Sequence, residues 1–274
     1  MGGVLHVAGS WVAHRIVAPA IERLLPAACP ACKEPLPGIN RAGLCAACWE
    51  SIRPVESPLC PRCGISATSP FPGVRVEDRP CGRCLRRPPA FDGARCALVF
   101  EGAVRTLLHL FKFDDRRDLA RPLSRALLSA LPPGEPVDLV AAVPLHWTRH
   151  LARGYNQAAL LARRIARARR VPFASGLLVK RRRTPDQFRL DAASRRRNVQ
   201  GVFAVRRCWS RRRGGTKPLA GRCVLLVDDV LTTGATAEAC ARALKAAGAA
   251  RVFVIAVART PLPGSSAGRA PAAR

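Results

Sequence analysis

Apolar positions along the chain show two textures, with the change near residue 91. Before it, Pro and Gly interrupt every apolar run, and no stretch can bury a sizeable core of its own. After it, short apolar runs alternate with stretches of helical spacing. Residues 95–100 read as a strand, and 104–111 and 118–131 as helices. The run 138–143, closed by Pro144, suits a buried strand. Spacing over 151–169 is helical, 201–205 reads as a short strand and 222–227 as a buried one. Residues 235–247 read as a helix stopped by Gly248, and 251–258 as the closing strand. This alternation predicts an α/β fold, a parallel twisted sheet flanked by helices.

The ends differ from the middle. Residues 1–28 predict an amphipathic helix with Ala13, Val17, Ile21, Leu24 and Leu25 on its apolar side, and Pro19 either kinks it or delays its start. His14, Arg15, Glu22 and Arg23 break the apolar run, and a basic start is missing, so the segment does not read as a signal peptide. No apolar run reaches the roughly 20 residues that a membrane helix needs. No membrane span and a cytoplasmic location are therefore expected. The expected division is the helix over 1–28, a cysteine-rich module over 29–90, the α/β domain over 91–260 and a disordered Pro/Gly/Ala/Ser/Arg tail over 261–274.

Cysteine spacing explains what holds the first texture together. The chain has 12 cysteines, and eight form Cys-x-x-Cys pairs: Cys29/Cys32, Cys45/Cys48, Cys60/Cys63 and Cys81/Cys84. A reducing compartment argues against a disulfide framework. Two such pairs close one tetrahedral four-cysteine site, so four pairs hold two zinc ions in a small zinc-ribbon-like module. Pairing is either in order or interleaved. An iron–sulfur cluster or redox dithiols are the alternative, because thiolates also suit iron. Closed four-cysteine sites leave no open coordination position, so the metal's role is structural. Cys96, Cys208, Cys223 and Cys240 lack a partner at such spacing and read as buried small hydrophobes or inert surface residues.

The second texture carries the chemistry. Residues 222–236 read RCVLLVDDVLTTGAT. An apolar strand ends in Asp228 and Asp229, a short hydroxyl-rich loop follows, and a helix begins near Ala235. Backbone N–H groups at such a helix start point at an anion, and the helix dipole favours negative charge there. Gly234 lets the backbone approach a ligand closely. The Thr232, Thr233 and Thr236 hydroxyls can donate to phosphate oxygens. Two carboxylates do not suit a phosphate, but they suit sugar hydroxyls on the same ligand, with a divalent cation nearby.

This order closely resembles the fingerprint for 5-phosphoribosyl-1-pyrophosphate (PRPP) in type I phosphoribosyltransferases. Further stretches are Phe100-Glu101-Gly102, Lys112-Phe113, Val143-Pro144-Leu145 and Arg153-Gly154-Tyr155-Asn156-Gln157. Thr184, Gln187, Leu190, Arg196, Asn198, Val199 and Phe203 continue the pattern. With the cysteine pairs upstream, the chain resembles the competence-protein ComF family over roughly 25–260. The resemblance implies a zinc module joined to a type I phosphoribosyltransferase fold and an association with natural transformation.

It also implies ligand contacts. PRPP would be held by Asp228, Asp229, Val230, Leu231, Thr232, Thr233, Gly234, Ala235 and Thr236, and Mg2+ would accompany it. A pyrophosphate loop would comprise Pro144, Leu145, Arg149, Arg153 and Gly154. A flexible loop would bring Gln187, Arg196 and Asn198, with Asp228, Asp229 and Arg196 acting in catalysis. Such a lid would stabilise the leaving pyrophosphate and exclude water. Transfer to a nitrogen acceptor and non-catalytic PRPP recognition both fit.

Net charge adds a further class. At +28 it is extreme, and residues 180–217 hold 14 Lys/Arg against two acids. Arg181 to Arg183, Arg195 to Arg197 and Arg211 to Arg213 suit single-stranded DNA as well as a small phosphorylated ligand. DNA and other competence proteins are thus candidate partners. Arginine-rich composition with no ligand is the plain alternative for most surface positions.

Overall fold

The computed structural model describes residues 28–36, 44–66, 79–145, 154–182, 201–206 and 219–261. The expected N-terminal helix (but for Ala28) and nearly all of the tail lie outside these residues. Two short helices, α1 (Ala46–Glu50) and α2 (Gly82–Arg86), sit in the cysteine-rich segment. The chain continues through β1 (Gly93–Val99), α3 (Gly102–Phe113), a 3-10 turn, α4 (Ala120–Ala130), β2 (Leu139–Ala142) and α5 (Gln157–Arg169). It then forms β3 (Leu178–Lys180), β4 (Phe203–Val205), β5 (Cys223–Leu231), α6 (Ala235–Ala246) and β6 (Arg251–Arg259). Strands in the order β1-β6-β5-β2 make a parallel sheet, and β3 and β4 pair antiparallel beside it.

Strand alternation sorts the core onto two faces. Leu225 and Val227 of β5, with Phe253, Ile255 and Val257 of β6, meet the buried stripes of α3, α4 and α5. Those stripes follow helical spacing, as in Val104, Leu107, Leu108 and Phe111 of α3. Val224 and Leu226, with Val252, Val254 and Ala256, meet Ala237, Cys240, Ala241 and Leu244 of α6 on the other face. The β3–β4 ribbon also packs there. The apolar pattern does not signal β3, because three residues are too few for a period to show.

The cysteine-rich segment joins this core. Cys60, Cys63, Ile65 and Cys84 pack with the α6 face, while Cys29, Leu36 and Leu44 pack with the α3–α5 face. Between them the chain covers the outer edge of β1. Val55 donates to the Ala97 carbonyl at 2.9 Å, and Val99 donates to that of Arg53 at 3.0 Å. An edge that would otherwise invite pairing with another chain is thereby closed.

Candidate functional site

Strand β5 extends four residues past the point where its apolar run stops. The sequence predicts that the strand ends at the two carboxylates, but Asp228 to Leu231 remain paired with β6, from Asp228 opposite Ala256 to Leu231 opposite Arg259. The neighbouring strand supplies ladder partners, and this outweighs the loss of hydrophobicity. The consequence is chemical. Successive strand residues point to opposite faces, so Asp228 and Asp229 diverge instead of standing side by side.

Asp229 meets Lys112, whose Nζ lies 2.9 Å from Oδ2, with both side chains largely covered. Asp228 accepts the Asp229 backbone N–H through Oδ1 at 2.9 Å. Burial, reinforced by the Asp229 charge, raises the Asp228 carboxyl to about 8. One carboxyl is therefore held protonated at neutral pH beside one that is paired with a lysine.

The turn that follows occupies residues 232–234. Gly234 adopts φ +81, a left-handed conformation, and serves as N-cap of α6. Phe91 lies beneath it, its ring 3.9 Å from where a Cβ would stand. Thr233 Oγ1 accepts weakly from the Ala235 N–H at 3.4 Å. From the cysteine-rich segment, the Arg83 guanidinium donates to the Thr233 carbonyl.

Lys112 is held in place by the start of α5. Gln157, 1% exposed, donates to the Lys112 carbonyl at 3.2 Å, and the Tyr155 hydroxyl donates to the Phe111 carbonyl. Asn156 donates to the Val143 carbonyl at 3.1 Å, and its Oδ1 caps α5 at the Ala159 N–H. Arg117 lies over the Tyr155 ring, 4.7 Å from its centroid. The polar residues after Gly154 thus lock two helices and a strand end together. Gly154 itself has φ +70. Pro144 and Leu145 line a cavity of about 560 Å3 at the end of β2, whose wall also carries Lys180 and Arg206. Arg149, Arg153, Gln187, Arg196 and Asn198 lie outside the described residues.

The eight paired cysteines gather in order, Cys29/Cys32/Cys45/Cys48 and Cys60/Cys63/Cys81/Cys84, each set with its sulfurs within 4.8 Å of one another. Tetrahedral zinc with Zn–S near 2.3 Å requires sulfurs about 3.8 Å apart. Cys32 and Cys45 stand at 3.6 Å, and Cys63 and Cys81 at 3.7 Å. Burial opposes ionisation of Cys29, yet surrounding backbone N–H groups bring its thiol down to about 6. Hydrogen bonding from Cys63 brings Cys60 down to about 4. Both knuckles use the same turn, with Lys33 at φ 68 in the first and Gly64 at φ 62 in the second. Arg259, 4% exposed, donates to the Cys63 carbonyl at 3.0 Å, and its Nε and Nη2 find no hydrogen-bond partner among the described residues. A zinc site of four thiolates carries net negative charge, and such a buried cation offsets it.

Comparisons with known proteins place the whole arrangement. Residues 20–97 match the double zinc ribbon domain and 152–264 the phosphoribosyl transferase domain. DNA utilization protein YhgH of Escherichia coli O157:H7 is 33% identical over 242 residues, spanning 86% of this chain and 98% of that protein. The chain belongs to the ComF family. The Salmonella typhi protein of the same name is also 33% identical, with the same coverage. Competence protein F of Haemophilus influenzae is 28% identical over 227 residues, spanning 81% of this chain and 92% of that protein. This ComF-family chain therefore joins structural zinc sites to a phosphoribosyltransferase-type sheet.

Three cations around the ComF site carry no role in the sequence reading. Lys112 figures there only as part of a family match. Arg83 stands between two metal ligands, and Arg259 just past the expected end of the closing strand. Among the described residues, no helix is long and apolar enough to cross a membrane.

Proposed function

We propose that the chain binds PRPP at the turn between β5 and α6 and acts, in the cytoplasm, in DNA uptake or use. The observation that carries this is the placement of Asp228 and Asp229 at the end of β5, leading through Gly234 into the start of α6. In this reading the Thr232, Thr233 and Thr236 hydroxyls and the backbone N–H groups of 234–236 hold the 5-phosphate. Asp228 and Asp229 accept the ribose hydroxyls. Lys112 is then freed from Asp229 to face the ligand's negative charge. Arg149 and Arg153, with the backbone around Pro144, Leu145 and Gly154, receive the pyrophosphate. With the ligand bound, charge on its pyrophosphate would be neutralised in part by an accompanying Mg2+. Gln187, Arg196 and Asn198 close over it. If transfer occurs, the C1–O bond breaks, pyrophosphate leaves with the bonding pair, and a nitrogen acceptor bonds to C1.

Calorimetry of the zinc-loaded chain with PRPP and Mg2+ tests the reading, and one site is expected. The Asp228→Asn, Asp229→Asn double variant is to lose that binding while keeping its circular dichroism. Unchanged affinity in the double variant, or no heat from wild type at millimolar PRPP, overturns the proposal. Pyrophosphate release across a panel of nucleobases separates transfer from recognition alone.

A second reading, single-stranded DNA binding, is supported by the +28 charge and by the relatives' names, DNA utilization protein and competence protein. It is compatible with the first.

A further inference from the structure

Arg83 sits between Cys81 and Cys84, two ligands of the second zinc site, yet its hydrogen bond crosses to the phosphate loop 150 residues away in sequence. Its acceptor is the Thr233 carbonyl, and that choice matters. In a trans peptide the C=O and the following N–H point to opposite sides. Tying the Thr233 carbonyl toward α2 therefore turns the Gly234 N–H away from the zinc site, toward the side on which an anion would approach. The same peptide is backed by Phe91 under Gly234.

The zinc knuckle that carries Arg83 is itself fixed to the sheet. Arg259 of β6 donates to the Cys63 carbonyl at 3.0 Å, and Arg95 of β1 reaches the Cys60 and Pro61 carbonyls, each at 3.4 Å. Gly64 abuts β1 so closely that a Cβ there would stand 2.2 Å from the Ala94 oxygen. Knuckle, β1, β6 and phosphate loop thus share one set of contacts.

We infer that Arg83 is a positioning residue of the phosphate loop, presented by the second zinc site. Metal occupancy of Cys60, Cys63, Cys81 and Cys84 and anion affinity at 232–236 are thereby linked. The identity of the anion rests on the PRPP reading above. Linkage is reciprocal, so bound anion retains the metal as the metal supports the anion.

The test uses the full zinc-loaded chain as wild type, Arg83→Ala and Arg86→Ala, the last being an exposed arginine on the same helix. Hydrogen–deuterium exchange over 228–238 is read first, without ligand. Arg83→Ala is expected to exchange this loop about tenfold faster, with β6 unchanged and two zinc ions retained, while Arg86→Ala matches wild type. PRPP–Mg2+ affinity is to weaken about 10- to 100-fold in Arg83→Ala, the range for a lost charge-assisted hydrogen bond. PRPP is also to slow loss of one zinc to a chelator in wild type but not in Arg83→Ala. Wild-type exchange in Arg83→Ala overturns the inference. If wild type binds no PRPP, the earlier reading falls, and the ligand-free exchange still decides the role of Arg83.

Discussion

Asp228 is kept in a site that opposes its charge. Burial first, and the Asp229 carboxylate second, raise it to about 8. The folded protein therefore holds this proton to higher pH than the unfolded chain, whose carboxyl titrates near 4. Its contribution to stability is full at low pH and is lost as pH rises from about 4 to about 8. Asp228→Asn removes the titration while keeping the shape. The variant's melting temperature, measured against wild type, should gain steadily with pH across that window and level off above it. A difference that stays flat from pH 4 to 9 would refute the raised value. The same substitution is expected to weaken PRPP binding, since an amide offers the sugar hydroxyls one acceptor oxygen where the carboxyl offers two. A residue whose replacement stabilises the fold and impairs the ligand is one retained for binding. Asp229 is its counterpart, paired with Lys112 at 2.9 Å.

At the scale of elements, the site depends on β5 running past its own apolar signal. The strand–turn–helix at 222–236 is legible in sequence because its parts are local: an apolar run, two acids, hydroxyls, a glycine and a helix start. The four-residue extension of β5 is not legible, because it is imposed by β6 alongside. Lys112, Arg83 and Arg259 are hidden for the same reason, since each finds its partner by tertiary contact. The Arg83 and Arg259 bonds span 150 and 196 residues. Cys-x-x-Cys spacing reveals the ligands, but only the folded chain decides that they pair in order. The tight seam between the second knuckle and β1 offers a test. Gly64→Ala must place a Cβ 2.2 Å from the Ala94 oxygen at φ +62. Strain and overpacking together should cost about 2–5 kcal/mol. Gly221, at φ +72 with nothing within 4 Å of its Cβ position, is the control. Gly221→Ala should cost only about 1–2 kcal/mol. Equal losses by thermal unfolding would mean that the seam is loose.

At the scale of the molecule, the described residues of the cysteine-rich segment pack into the core of the sheet. Its first tetrad shares one apolar cluster with α3, α4 and α5, and its second shares the other with α6. Metal removal should therefore lower the melting of the sheet itself, in one transition. Two zinc ions per chain by metal analysis are expected, and a sheet that melts unchanged after chelation would contradict the shared core. The remaining whole-molecule property is the charge of +28. It has two distinguishable uses. A small ligand in a cleft meets a few positioned groups, so added salt should weaken PRPP binding modestly. Single-stranded DNA releases a counterion for each phosphate neutralised, and its affinity should fall by about 0.7 log unit per contact for each tenfold rise in salt. Replacing Arg211, Arg212 and Arg213 with Ala should then flatten the DNA slope by up to about 2 log units per decade of salt. PRPP affinity should stay as it was, because that triplet lies outside the family pattern. Arg196 and Asn198, placed by resemblance over the ligand, should show the reverse when replaced. Titrations of a labelled oligonucleotide and of PRPP across salt concentrations give both slopes. No DNA binding even at low salt would reduce the charge to composition. Equal effects of both substitutions on both ligands would mean that the basic segment is a single site.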